Sequence, residues 1–355
     1  WFAASVFVCL LGVGTKEAIF TAPFLVLAYQ CVFLDLSPGR AVREARWLYA
    51  GYLVCLVLLA ALVVVIGKNS AGREDLVFTS LEYARTQPEI IFHYLRLALW
   101  PHPLVLDYGW PIARPLAAAP WIAAMAGLVL ATVWLLYRLS ALGFLLLWVL
   151  GLLAPTSSFI PIQDPAFEHR MYLPLAGIAV AVVLGGYLAL RALARWLGSR
   201  AAGRDVGLAG GVALVLVLCA LGGLTALRNR DYRDEYALWA DSLAKRPRAW
   251  RPRRIMGVTS SLVGRHDEAI RLFEEGVALL PDNPEPRFYL GVEYAETGRI
   301  EAAARLFTQV VAMRPSHAYG HMNLGLALLQ LGHVAEAEDS IEEAWRLKPG
   351  DAAIA

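Results

Sequence analysis

The last third of the chain repeats every 34 residues, which leaves it few ways to fold. Gly257, Gly291 and Gly325 keep that spacing, as do Gly264, Gly298 and Gly332, then Ala269, Ala303 and Ala337, then Pro281, Pro315 and Pro349. A fixed period of this length marks one helix-pair unit that cannot bury its apolar face alone, so successive units stack into an α-solenoid. The small residues let the two helices of a unit approach closely, Phe273 and Phe307 fill the space between units, and the prolines end each second helix. Full repeats run over 250–283, 284–317 and 318–351. Residues 232–248 match only the second helix of a preceding unit, with Trp239 in the place of Phe273 and Pro247 in that of Pro281. Stacking leaves a concave groove, and its positions fall to Arg254, Phe288, Val292, Tyr319, Met322 and Leu326. This largely apolar row suits a protein or peptide partner.

Before about residue 228 the solvent is of another kind. The chain is 58% hydrophobic and 17% charged, and its apolar residues concentrate in this portion. The tail of a membrane helix is expected at 1–13, and membrane helices at 18–34, 47–66, 118–137, 141–154, 171–190 and 206–227. The fold class expected is therefore all-α, a polytopic membrane helix bundle over 1–228 followed by the solenoid over 229–355. The stretch 89–100 is apolar but short and holds His93 and Arg96, so it reads as an interfacial helix. Cys9, Cys31, Cys55 and Cys219 lie in apolar runs without metal-ligand spacing and read as small buried hydrophobes. The chain opens with Trp1 inside an apolar run, as a fragment lacking its N-terminus would. A net charge of +2 gives no reason to expect a nucleic-acid partner.

Charge placement orients the bundle. Loops 35–46, 138–140 and 191–205 carry eight arginines, and the alternate loops are longer, more acidic and poorer in Lys and Arg. The arginine-rich set is expected on the cytoplasmic side. That places Lys16 and Glu17, Asp107, the run Glu168, His169, Arg170, and all the repeats on the extracytoplasmic side. A bacterial periplasm is the first expectation and an endoplasmic reticulum lumen the alternative. Ionisable groups at a membrane edge mark either a polar loop or a lined cavity. Lys245, Arg246, Arg248, Arg251, Arg253 and Arg254 form a basic cluster, either a solvated face or a contact for anionic headgroups or phosphate. His317 and His321 are four apart on one helix, but no third metal ligand is suitably spaced.

Lys16-Glu17 after an apolar run, Leu99-Trp100-Pro101 leading to Leu106-Asp107-Tyr108, the stretch Phe167 to Pro174, and the switch into repeats with the tetratricopeptide signature form an ordered set. Together they resemble the transmembrane and tetratricopeptide-repeat O-mannosyltransferases and their bacterial relatives in the C-type glycosyltransferase superfamily. The resemblance runs through most of the chain. It implies an enzyme that moves a sugar from a polyprenyl-phosphate carrier to an extracytoplasmic acceptor, with the family's key acidic residue in a loop upstream of Trp1. A divalent metal is left open. Under it Arg170 would bind the carrier phosphate, Glu168 would orient Arg170, and Tyr172 would sit at the headgroup layer beside His169. Lys16 would share the phosphate charge, Glu17 would hold Lys16, and Asp107 would touch acceptor or metal. The competing expectation is a non-enzymatic membrane-anchored scaffold whose repeats recruit envelope or secretion partners.

Overall fold

Long apolar runs and a helix-pair period leave little room for strands. The computed structural model describes residues 2–13, 17–69, 79–159, 161, 165–196 and 204–351, and every regular element among them is helical. The chain divides into two compact units, Trp1–Leu104 with Trp110–Leu224, and Val105–Gly109 with Thr225–Ala355.

The first unit holds α1 (Phe2–Val13), α2 (Ala22–Phe33), α3 (Pro38–Glu44), α4 (Arg46–Asn69), α5 (Ser80–Leu99), α6 (Pro115–Tyr137), α7 (Ala141–Leu153), α8 (Pro174–Trp196) and most of α9 (Arg204–Asp231). Packing of α1 on α4 buries Cys9, Ala45, Leu48, Tyr52 and Cys55, and the Ser5 and Tyr52 hydroxyls meet at 2.7 Å. Further along, α7 packs on α6 and α8, and the Trp148 indole donates to the Leu173 carbonyl at 2.9 Å.

Among the described residues, three helices are long and apolar enough to cross a membrane: Pro115–Tyr137, Pro174–Trp196 and Gly210–Arg230. Ile19–Phe33 and Pro38–Glu44, bent by 113°, make a fourth if they count as one span. The helix tail expected at 1–13 falls on Phe2–Val13, the span expected at 47–66 lies within α4, whose apolar part among the described residues is Arg46–Leu62, and the span expected at 141–154 falls on the shorter Ala141–Leu153. A helix rises about 1.5 Å per residue, so Ala141–Leu153 is short of the roughly 20 residues a bilayer core needs, whereas α4 has the length.

Two local expectations are revised. Within the polar loop 35–46 lies helix α3, which starts where Pro38 supplies a preset φ behind the extended Ser37. The interfacial helix begins at Ser80, not Glu89, because Thr79 and Glu82 form a capping box that starts it two turns earlier.

Cysteine burial also divides. Cys9, Cys31 and Cys55 are buried and free, whereas Cys219 is exposed on α9, whose apolar window buries nothing against protein.

In the second unit the end of α9 leads to α10 (Glu235–Lys245). Three helix pairs follow: α11 (Trp250–Leu262) with α12 (His266–Leu279), α13 (Pro284–Glu296) with α14 (Ile300–Met313), and α15 (Ala318–Gln330) with α16 (Val334–Leu347). The period is visible in the packing. A Cβ built on Gly257 would stand 2.4 Å from the Phe273 ring, one on Gly291 2.8 Å from Phe307, and one on Gly325 2.6 Å from Ile341. Phe273 thus fills the gap inside its own pair, and it also stacks on Tyr289 of the next at 5.7 Å.

Candidate functional site

Two places gather the residues that the sequence singled out. One is the run around Arg170 in the first unit. Glu168–Met171 forms a single 3-10 turn, and Arg170 is only 8% exposed. Its Nη1 donates to the Pro165 carbonyl at 2.8 Å, to the Thr156 carbonyl at 3.5 Å and to the Tyr83 hydroxyl at 3.4 Å, and its guanidinium lies 5.9 Å from the Phe167 ring centre.

The counterpart is α5. Tyr83 donates to the Thr156 carbonyl at 2.5 Å, the Gln87 amide to Pro165 at 3.5 Å, and the Tyr94 hydroxyl accepts the Phe167 N–H at 2.6 Å. Tyr83, Gln87, Ile90, Tyr94 and Leu97 are all buried. They follow one another by four, three, four and three residues, which puts them on one helix face. That spacing is legible in the sequence, but Tyr83, Gln87 and Tyr94 were not singled out because polar side chains interrupt the apolar pattern. Burial pushes the Tyr94 phenol up to about 12, against the pull of Arg170, and raises Tyr83 in the same way.

The other candidates in this unit spread outward. Glu168 is half-buried and lines an apolar cavity of about 940 Å³ together with Leu97, Met171, Val182, Leu214 and Leu221. His169 is exposed, with its ring 4.9 Å from that of Phe167, and Tyr172 is also exposed. Lys16 lies outside the described residues. Glu17 opens the 3-10 turn Glu17–Thr21.

Asp107 is placed in the second unit. It is buried, its Oδ1 accepts the Gly109 N–H at 2.9 Å, and its Oδ2 stands 3.7 Å from Arg251 Nε. Tyr108 lies beneath the Arg246 guanidinium at 5.4 Å, and Gly109 takes φ +48°, which glycine adopts without strain, with a Cβ built there 3.3 Å from that of Ala249. No cluster of three metal-ligating side chains occurs among the described residues. His317 is taken up locally, its Nδ1 accepting the Gly320 N–H at 2.8 Å, and a His321 ring nitrogen lies 3.0 Å from the Pro315 carbonyl.

The second place is the row along the first helices of the repeats. Phe288 packs on Phe307 and His317, with ring centres at 6.0 and 5.0 Å. Val292, Tyr319 and Met322 are half-buried and Leu326 is exposed. At one end Arg254 donates to the Tyr289 hydroxyl at 3.2 Å; at the other Lys348 lies over the Tyr319 ring at 4.5 Å, and Tyr319 donates to Asp351 at 2.7 Å.

A family model described as tetratricopeptide repeat matches residues 261–304 and 288–352. The helix pairs are tetratricopeptide repeats. Among solved structures, a crystal structure of MamA is 20% identical with a TM-score of 0.32, over 37% of this chain and 76% of that one. MamA from Desulfovibrio magneticus RS-1 is 18% identical with a TM-score of 0.31, over 37% and 73%. The first such domain of Spaghetti (RPAP3), bound to an HSP90 peptide, is 22% identical with a TM-score of 0.29, over 30% and 83%. No curated protein matches the sequence. The family model identifies the repeats, and none of the comparisons shows the O-mannosyltransferase family.

Proposed function

We propose that this chain is a membrane-anchored tetratricopeptide-repeat docking protein whose solenoid holds an extended segment of a protein partner, with the apolar helices as the anchor. The observation that carries the reading is the row Phe288, Val292, Tyr319, Met322 and Leu326 along the first helices of the second and third repeats, still partly open to solvent. Such a row offers successive apolar side chains of a peptide a floor, and Arg254 at its edge offers a donor. The test is a photo-reactive residue at Leu326 in the full chain. One discrete protein adduct is expected, reduced at least about ten-fold by Val292→Glu, as loss of a central apolar contact gives. The same probe at exposed Arg305 should give none, and equal labelling at both positions would sink the reading.

A second reading, transfer of a sugar from a polyprenyl-phosphate carrier, is favoured by one observation: an apolar cavity of about 940 Å³ with Glu168 in its lining. Its test is an assay of the purified membrane protein with a labelled polyprenyl-phosphate sugar. Transfer lost in Glu168→Gln supports it, and no transfer by the wild type overturns it.

A further inference from the structure

We propose that Arg230, Arg233 and Arg248 form a basic collar that binds the anionic headgroup surface of a lipid bilayer, fixing the repeat unit to the membrane at its first helices. The inference rests on the reading that α9 enters the bilayer.

Charge in the second unit is sorted along the chain. Residues 228–254 hold nine Lys and Arg against four Asp and Glu, whereas 255–351 hold eight against fifteen. An anionic surface therefore attracts the start of the solenoid and repels the rest.

Most cations at this end are already engaged. Arg228 and Lys245 share Asp241 at 2.8 and 2.7 Å, Arg253 meets Glu275 at 3.1 Å, and Arg251 stands 3.7 Å from Asp107. Arg246 and Arg254 lie over the rings of Tyr108 and Tyr289. Arg230, Arg233 and Arg248 are different: they are exposed, and no carboxylate pairs with them among the described residues. Of the nearby acids, Asp234 is occupied as the N-cap of α10, accepting the Tyr236 N–H at 3.0 Å.

Position supplies the second argument. Gly210–Arg230 carries a long apolar window with none of it buried, and it ends at the first arginine of the collar. Tyr232, 53% exposed, follows at once, between Arg230 and Arg233. An aromatic ring flanked by cations at the end of an apolar helix is the composition of the headgroup layer. Each such cation strengthens attraction to an anionic leaflet roughly five-fold.

The experiment is arginine modification by phenylglyoxal on the full chain in nanodiscs of phosphatidylcholine, with and without about 30% phosphatidylglycerol, read residue by residue by mass spectrometry. Modification of Arg230, Arg233 and Arg248 is expected to slow at least about five-fold in the anionic discs and to recover in about 0.5 M salt, with Arg305 unchanged. Equal rates in both discs overturn the collar, as does equal slowing of Arg305. Equal protection by inorganic phosphate in phosphatidylcholine discs also overturns it, since the arginines then hold any anion. A chain that enters neither disc overturns the membrane reading and the collar together, whereas entry with unchanged rates overturns the collar alone.

Discussion

Gly257 shows how much of the solenoid rests on single atoms. A Cβ there would sit 2.4 Å from the Phe273 ring, inside any real contact. Gly257→Ala is expected to cost about 1–3 kcal/mol, seen as a lower urea midpoint for the repeats; an unchanged midpoint would mean that Phe273 swings aside freely. Around Arg170 the decisive atom is the Tyr83 hydroxyl, which donates to Thr156 and accepts from the guanidinium. Tyr83→Phe removes both bonds in a buried place, and a loss of about 1–3 kcal/mol is expected in unfolding of the first unit. The two residues differ in legibility. Gly257 announces itself by recurring 34 positions later, whereas Tyr83 meets Thr156 across 73 residues and Arg170 across 87, distances over which no local pattern reports.

At the scale of elements, α10 is held to the end of α9 by the acid of Asp241 between Arg228 and Lys245. Partial burial pushes its pKa up, but the hydrogen bonds and charges of Lys245 and Arg228 outweigh this and hold it below the usual 3.8. A depressed carboxylate stabilises the folded state fully above its unfolded value and loses that contribution as pH falls through the folded one. Limited proteolysis between α9 and α10 is therefore expected to accelerate as pH drops below 3.8, and Asp241→Asn should be cleaved readily at neutral pH. A wild-type cleavage rate that stays flat well below pH 3.8 would remove the tether. Tyr236 and Glu268 add a second bond, from α10 to α12, which draws the Glu268 carboxyl down as well. The helices themselves were largely legible, since apolar runs, Pro38 and the repeat prolines mark them. The early start of α5 was not, because a capping box uses two polar residues that an apolar scan passes over.

For the whole molecule, we propose that residues 35–46 face the cytoplasm and the repeats lie outside, as the arginines of 35–46, 138–140 and 191–205 favour, while the nine Lys and Arg of 228–254 beside the last span weigh the other way. In a cysteine-free background, Cys introduced at exposed Ser316 is expected to react with a membrane-impermeant maleimide in intact cells or spheroplasts, and Cys at Ser37 only after lysis. The reverse pattern would invert the topology. The sequence by itself determined the solenoid, because each repeat packs only on its neighbours and short-range contacts leave their trace at a fixed period. It marked as well the apolar runs, three of which form helices long enough to cross a membrane among the described residues. Only the tertiary structure decided that Arg170 is enclosed by carbonyls and Tyr83, and that Val105–Gly109 joins the repeat unit through Asp107 and Arg251. Those contacts join residues up to 144 positions apart, and a pairing at that range is set by how the chain closes on itself, which composition and periodicity do not record.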